Sequence, residues 1–430
     1  MRTHANTPDA LPPGFRKLSY GAFCWLMRSP LILRWIGALL RLVPSIGGLF
    51  GMVARASAVQ GILNRPKSFS NTAHAPNLVA GDYLIAMDPG PIYLADRALL
   101  GARLQALQDV QTIADQEAQW LVAELKKWIG RADFDLIDDY LTWLAFRAIS
   151  PVFGAAADKL AVGEGGDIRD RGLQRQYFME IRYVAGQLLA GSSAPIEMRG
   201  RAELCAHALQ ARVKAAMDDL KRSWNVNLPG EAIERNALGL TWVSHPVTVQ
   251  SGALVIQELL GRPKVYQALR SQVAMLGTSA VWQDGAFRKH VQDHVLELMR
   301  FRPIFPLLAR DVPRETEFET GAPRNAVCRA GSRVAMWSIA ALFDPRAVAN
   351  SRRFCPHRDW GDHEGLRWLV FGYGDRECPA KAYALEILTS ALIGLLTLPE
   401  LRLADDGDEK PIEYDGPLMS RMRVRFSKQA

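Results

Sequence analysis

The residue best placed to do chemistry in this chain is Cys378, in the stretch FGYGDRECPAKAYA (371–384). Gly372 and Gly374 allow backbone conformations that turn N–H groups inward. Pro379 suits the first turn of the apolar, helix-like run that follows, where its missing N–H costs little. Inward amides and a helix N-terminus both stabilise negative charge, so the setting favours a thiolate. Three roles compete for that sulfur. A buried structural thiol is the ordinary one. A nucleophilic thiol would want a general base, and no His stands near it in sequence. A metal ligand fits the amides, and a lone thiolate without companion ligands suggests a haem iron.

The elements that must position the cysteine belong to an ordinary globular chain. Of 430 residues, 23% are charged and 49% hydrophobic, enough for a substantial core that also encloses a pocket. The net charge of +7 suits an acidic partner or an anionic surface, and no basic block has the density that nucleic-acid binding requires. The five cysteines (Cys24, Cys205, Cys328, Cys355, Cys378) are scattered with no CxxC pair, which argues against a disulfide framework or zinc site and for a reducing compartment. The start MRTHANTPDALPPGF has no apolar secretory core, so a cytoplasmic location is expected. Residues 20–54 are apolar, yet Arg28, Arg34 and Arg41 interrupt every window long enough to span a bilayer. They read as buried or pocket-lining helices, or as helices resting on a membrane surface.

From about residue 98, apolar residues return every three or four positions. Helices are expected across 99–130, 137–154, 201–224 and 280–301. SRVAMWSI and MRVRF read as short strands. The expected fold class is mainly α with small β-sheets: an N-terminal apolar and basic segment (1–57), then one large domain (58–430). Residues 307–371 are rich in turns and arginine, and loops of that length usually wrap something, here an anionic object or carboxylates.

The spacing Phe371, Gly374, Arg376, Cys378 resembles the haem-binding signature of the cytochrome P450 family, Phe-x-x-Gly-x-Arg-x-Cys-x-Gly. The final glycine is Ala380 here, which implies a small shift of the helix beneath the haem. Glu297 to Arg300 resembles the family's Glu-x-x-Arg helix motif, and FRPIFPLLAR, Asp344–Pro345 and RRFCPHR (352–358) follow in the family's order. By that likeness Glu297 and Arg300 pair with Arg353 or Arg358 in a buried network that fixes the cysteine loop. Where the family often carries His-x-x-x-Arg to hold a haem propionate, this chain reads Tyr93-x-x-x-Arg97. Arg310 and Arg376 match other propionate-clamping positions, a task the guanidinium fork does well. The resemblance covers residues 58 to the C-terminus. It implies the cytochrome P450 fold, haem b as cofactor, Cys378 as its iron ligand, and an apolar pocket built from 58–100, 170–200 and 235–255.

The likeness departs on the distal side. The family places an acid–alcohol pair in a long helix beside the oxygen site, and counting back from Pro263 puts Pro246 and Val247 there. Val247 has the shape of threonine without its hydroxyl, and Pro246 relays no proton. His245 is the nearest titratable group. Activating O2 needs two electrons and two protons at the distal oxygen, whereas a hydroperoxide already carries the reduced O–O bond and needs only an acid–base group. A peroxide-using branch of the family carries Arg-Pro at this site, so His245-Pro246 looks like a variant of it, although the ordinary-length cysteine loop does not resemble that branch. Three expectations stand side by side. One is monooxygenation of a lipophilic substrate with a ferredoxin and reductase. Another is hydrogen peroxide or organic hydroperoxide chemistry with His245 as acid–base. The last is a non-catalytic haem-binding protein. His290 and His294, one helical turn apart, lack a third metal ligand in view and read as a solvated pair. Arg182 reads as a solvated helix residue or a reach toward a substrate carboxylate.

Overall fold

The computed structural model describes residues 13–427, apart from 43–44, 48–49, 72–77, 107–108, 128–132, 168–169, 192–193, 226–227, 322–324 and 406–408. The first helices are α1 (Pro13–Met27), α2 (Pro30–Leu42), α3 (Ala56–Leu63), α4 (Pro91–Ala106), α5 (Val110–Lys127), α6 (Thr142–Phe153), α7 (Ala156–Val162) and α8 (Arg171–Ala190). There follow α9 (Ile196–Ala215), α10 (Met217–Trp224), α11 (Gly230–Leu260), α12 (Pro263–Leu276), α13 (Gly285–Phe301), α14 (Ser338–Ala341), α15 (Glu364–Arg367) and α16 (Lys381–Leu396). The helical periodicity is realised in shorter pieces than the sequence suggests. The 99–130 run divides between α4 and α5, and the 201–224 run breaks at Ala216 between α9 and α10. The 280–301 run begins as a 3-10 turn, after which Asp284 caps α13 by accepting the Phe287 N–H at 2.8 Å.

The strands are short: β1 (Ser45–Gly47), β2 (Phe50–Val53), β3 (Asp133–Asp135), β4 (Leu308–Asp311), β5 (Thr316–Phe318), β6 (Ala326–Cys328), β7 (Arg333–Met336), β8 (Arg402–Leu403), β9 (Ile412–Asp415) and β10 (Leu418–Arg425). They form one sheet in the order β1-β2-β7-β4, a second of β3-β10-β8 with β9 on β10, and the β5-β6 hairpin. SRVAMWSI yields β7 and then turns into α14, and MRVRF is the end of β10. The N-terminal segment shares the body's first sheet, because β2 runs parallel to β7 with Val53 opposite Met336. Leu33 and Leu40 of α2 pack in one apolar cluster with Val334 and Met336.

Two elements matter most for the site. At 31 residues α11 is about 46 Å long, and it is buried along most of that length. It packs against α6, α8, α9, α13 and α16. Pro246 lies inside it and offers no N–H to the carbonyl of Trp242. The other element is α16, buried on every side from Ile387 onward, which lies against α5 and α13.

Candidate active site

Cys378 ends a tight loop that leads into α16. Its N–H donates to the carbonyl of Phe371 at 2.7 Å, closing the loop on itself. Gly372 and Gly374 have φ of 90° and 64°, the left-handed region that disfavours other residues. A side chain on Gly374 would also strike Asn64 Oδ1, 2.4 Å from the Cβ position. Ala380, where the family has glycine, has an ordinary φ of −99°, so its methyl strains nothing in the backbone. Pro379 lies just outside the helix, with Ala380 as N-cap and Lys381 as the first helical residue.

Burial pushes the Cys378 thiol above its usual pKa, while the Ala380 N–H, Arg97 and Lys381 pull the other way. The bare chain therefore holds a thiol whose surroundings offer an amide and two cations to a thiolate. A metal cation bound at the sulfur would take the place of the proton and relieve the desolvation conflict. Tyr83 lies within the electrostatic reach of this sulfur, and its phenol pKa is raised by burial first and then by Cys378. The same ring rests on Gly239 of α11, where a Cβ would come within 1.9 Å of it. Tyr83 therefore marks the side of α11 nearest the cysteine. The sequence carried no motif that singles it out.

Around the loop stand the arginines expected to hold carboxylates. Arg97 Nη1 donates to the Glu377 carbonyl at 2.8 Å, and the Tyr93 hydroxyl donates to the Asp375 carbonyl at 2.8 Å. Arg376 stacks over the Tyr93 ring at 5.0 Å and donates to the carbonyl of Met87, but its buried Nη2 has no partner. Arg310 is buried and donates to the Ala309 carbonyl at 2.7 Å. Burial and the charge of Arg376 pull its pKa down to about 10, against the opposing charge of Asp88. Asp88 is itself engaged by the Ser70 hydroxyl at 2.5 Å and the Asn71 N–H at 2.7 Å. Among the described residues no carboxylate forms an ion pair with Arg97, Arg310 or Arg376. Desolvated cations that repel one another, one with an orphaned N–H, fit an anionic guest such as a pair of propionates. The donor set therefore fits a haem: one sulfur for the metal, and guanidinium groups for its carboxylates.

The scaffold for this loop is α13. Glu297 and Arg300 meet through two contacts of 2.8 Å, both side chains almost wholly buried. Arg358 adds its Nη2 to Glu297 at 3.1 Å, while Arg353 is exposed and contributes its carbonyl, accepting from both Arg300 and Arg358. Arg358 therefore completes the side-chain network. The Cys355 N–H also donates to Glu297 at 2.8 Å, and Arg300 reaches the carbonyls of Leu342 and Ser351. One turn earlier, Asp293 accepts from Arg367 at 2.6 Å. Two carboxylates on one rigid helix thus hold the irregular chain that runs into Phe371 and Cys378.

His290 and His294 do gain a neighbour. His357 Nε2 lies 2.9 Å from His290 Nδ1, and its other nitrogen faces Asp293 at 3.2 Å. No grouping of three or more His, Cys, Asp or Glu among the described residues is spaced to hold a metal ion.

The distal helix places His245 differently from the acid–base role set out above. Its Nε2 faces the carbonyl of Thr142 at 3.0 Å, its ring stacks on Phe178 at 5.0 Å, and its Nδ1 has no partner. Burial pulls its pKa down to about 4, so the ring is neutral and its proton is committed to Thr142. Six residues separate it from Gly239, a rotation of about 240°, which turns it to the side of α11 facing α6 and α8 rather than Tyr83 and Cys378. Helix phase thus overrules sequence proximity here. Pro246 lines a cleft of about 200 Å³ with His245, Gln250, Phe178, Asp138 and Arg182. In it Arg182 keeps a buried Nε without a partner, and burial raises the Asp138 carboxyl despite the nearby Arg182 charge. Val247 is half-buried.

Residues 204–425 match the family model described as Cytochrome P450. Norfluorocurarine oxidase of Strychnos sp is 25% identical over 292 residues, covering 64% of this chain and 52% of that protein, so the chain spans about half the length of this curated relative. The solved structure of CalO2 superposes with a TM-score of 0.68 at 18% identity, over 97% of this chain and 99% of that one. Ligand-free cytochrome P450 TbtJ1 gives 0.71 at 18%, over 93% and 98%. With the family model covering more than half of its length, the chain belongs to the cytochrome P450 family.

Proposed function

We propose that this chain is a haem-thiolate monooxygenase that binds haem b through Cys378 and inserts oxygen into a lipophilic substrate. The observation that carries the reading is the juxtaposition of the Cys378 thiol with Arg97, Arg310 and Arg376, which no carboxylate among the described residues pairs. When bound, the haem supplies the redox chemistry: one atom of O2 goes to the substrate, and the other leaves as water with two electrons and two protons. The chain's own residues hold and shield. The amide of Ala380 and the charges of Arg97 and Lys381 steady the thiolate, and Arg310 and Arg376 take the carboxylates. The Glu297–Arg300–Arg358 network keeps the loop in register.

The electrons come from an external donor such as a ferredoxin with its reductase. The peroxide reading rests on Pro246 and Val247, which lack an acid and a hydroxyl. The orientation of His245 toward Thr142 favours the monooxygenase reading over it. The test starts from the absorption spectrum of the reduced, carbon monoxide-bound protein, which should carry the thiolate signature. Candidate lipophilic substrates are then offered with ferredoxin and reductase, and separately with hydrogen peroxide or a lipid hydroperoxide. Product only with the electron donors is the expected result. Product only with peroxide overturns the monooxygenase reading, and a thiolate spectrum without turnover in either arm makes the chain a haem-binding protein of another kind.

A further inference from the structure

We propose that His290 and His357 form a proton-operated latch between α13 and the irregular chain that runs toward Cys378. Three of the eight histidines meet where that chain crosses the helix. Gln272 Nε2 of α12 lies 3.3 Å from His290 Nε2, His290 Nδ1 lies 2.9 Å from His357 Nε2, and His357 Nδ1 lies 3.2 Å from Asp293 Oδ2. With both rings neutral, one assignment of protons satisfies all three contacts. The Gln272 amide donates to His290, His290 donates to His357, and His357 donates to the Asp293 carboxylate. Asp293 also accepts from Lys289 in its own helix and from Arg367 of α15 at 2.6 Å, and Arg367 reaches Glu364 at 3.4 Å. The line of contacts therefore ties two points of the chain, His357 and Arg367, to one carboxylate on α13.

This line tolerates one added proton and rejects a second. A charged His357 donates from both nitrogens, to Asp293 and to His290, and His290 then donates to the Gln272 amide oxygen once that amide turns over. A proton on His290 as well leaves two N–H donors facing each other across 2.9 Å, with no acceptor between them and two like charges in contact. The contact must then part. The His357 side chain is 56% exposed, so protons reach it from solvent. Burial, and then the charge of His357, lowers the pKa of His290. Because its folded pKa lies below an unfolded value near 6.5, the stability His290 contributes is present above about pH 6.5 and is lost as pH falls. The other charges facing the pair are Lys289 and Asp293 of α13 and Arg367 and Glu364 of α15, while α12 presents the neutral Gln272. His294 is a neutral bystander: burial holds its pKa near 4, and its Nδ1 donates to the His290 carbonyl at 2.8 Å. The device suits mild acid, where imidazole is the side chain that changes charge. This inference is independent of the reaction proposed above.

The full chain, as purified, is followed by hydrogen exchange at about pH 7.5 and about pH 5.5, with rates corrected for the intrinsic effect of pH and α16 as the internal reference. Protection of residues 354–367 should fall about tenfold or more at the lower pH, while that of α16 holds. His290→Gln and His357→Gln each leave one titratable ring in the line, so either should remove most of the fall, whereas His294→Gln should keep it. A fall that survives in both line variants overturns the proposal, as does constant protection in the unaltered chain. A segment already unprotected at the higher pH in both variants also overturns it, and makes the cluster a fixed brace instead.

Discussion

The cysteine side gathers cations that no described carboxylate pairs, whereas the distal helix gathers hydroxyls that bond within the helix. On the cysteine side, polar groups are left in want of a guest: Arg376 keeps an orphaned N–H, Arg310 is held below its usual pKa, and Cys378 is a desolvated thiol. Along α11 the buried hydroxyls answer to the helix itself, although Trp242 Nε1 and His245 Nδ1 lack partners. Thr241, Ser244 and Thr248 donate to carbonyls one turn back in their own helix, and His245 is committed to Thr142. The difference teaches where this chain keeps its binding free energy. On the proposed reading it is stored in a preorganised cradle on the cysteine side, while α11 offers shape and apolar surface more than proton transfer.

The sharpest way to break that comparison is Cys378→Ser. A serine hydroxyl is a poor iron ligand, so the reduced carbon monoxide spectrum should lose its thiolate band altogether, while circular dichroism stays unchanged. Next is Glu297→Gln, which leaves two buried guanidinium groups facing a neutral amide. Removing one partner of such a network costs about 3–5 kcal/mol, and denaturant melts of the haem-loaded chain should show it together with reduced haem content.

Arg310→Met sharpens the contrast in the other direction. If the cradle waits for a guest, removing its buried cation should weaken haem retention, read as faster transfer to apomyoglobin. The melting temperature of the haem-free chain should hold steady or rise, because a desolvated charge has been deleted. The smallest effect is expected at His245→Phe, about 1 kcal/mol at neutral pH, with turnover retained. Its pH dependence is more telling. The folded pKa lies near 4 and the unfolded one near 6.5, so the unfolded chain binds the proton first. The stability this neutral ring contributes is fully present above about pH 6.5 and is lost as pH falls toward 4. His294 has the same shift and persists in the variant, so His245→Phe should shallow the acid slope in that window rather than abolish it.

The cysteine loop was legible in the sequence because its chemistry is local. Two glycines at positive φ, an arginine and a sulfur lie within seven residues, and such a loop closes on itself through the Phe371 carbonyl. The Glu297–Arg300 pair was legible for the same reason, being one turn of one helix. Whether Arg353 or Arg358 joined it was open, because two arginines five residues apart in an irregular loop differ only in the direction the loop sends them. His245 shows the converse case. It stands next to the right residue in sequence, yet a helix turns neighbours about 100° apart, so adjacency on α11 is no guide to which face a side chain occupies. The break between α9 and α10 at Ala216 also escaped periodicity, since no proline or glycine marks it.

By itself, the sequence determined the helical class, the closed cysteine loop and the Glu297–Arg300 pair behind it, since each depends on residues within a turn or two of one another. Only the tertiary structure decided which arginine closes that network, that Tyr83 shares Gly239's side of α11, and that α2 shows leucine and tryptophan to the outside while its arginines face in. Those outcomes depend on how separate elements are rotated against each other, and rotation is set by the sum of many weak contacts that no short stretch of chain contains.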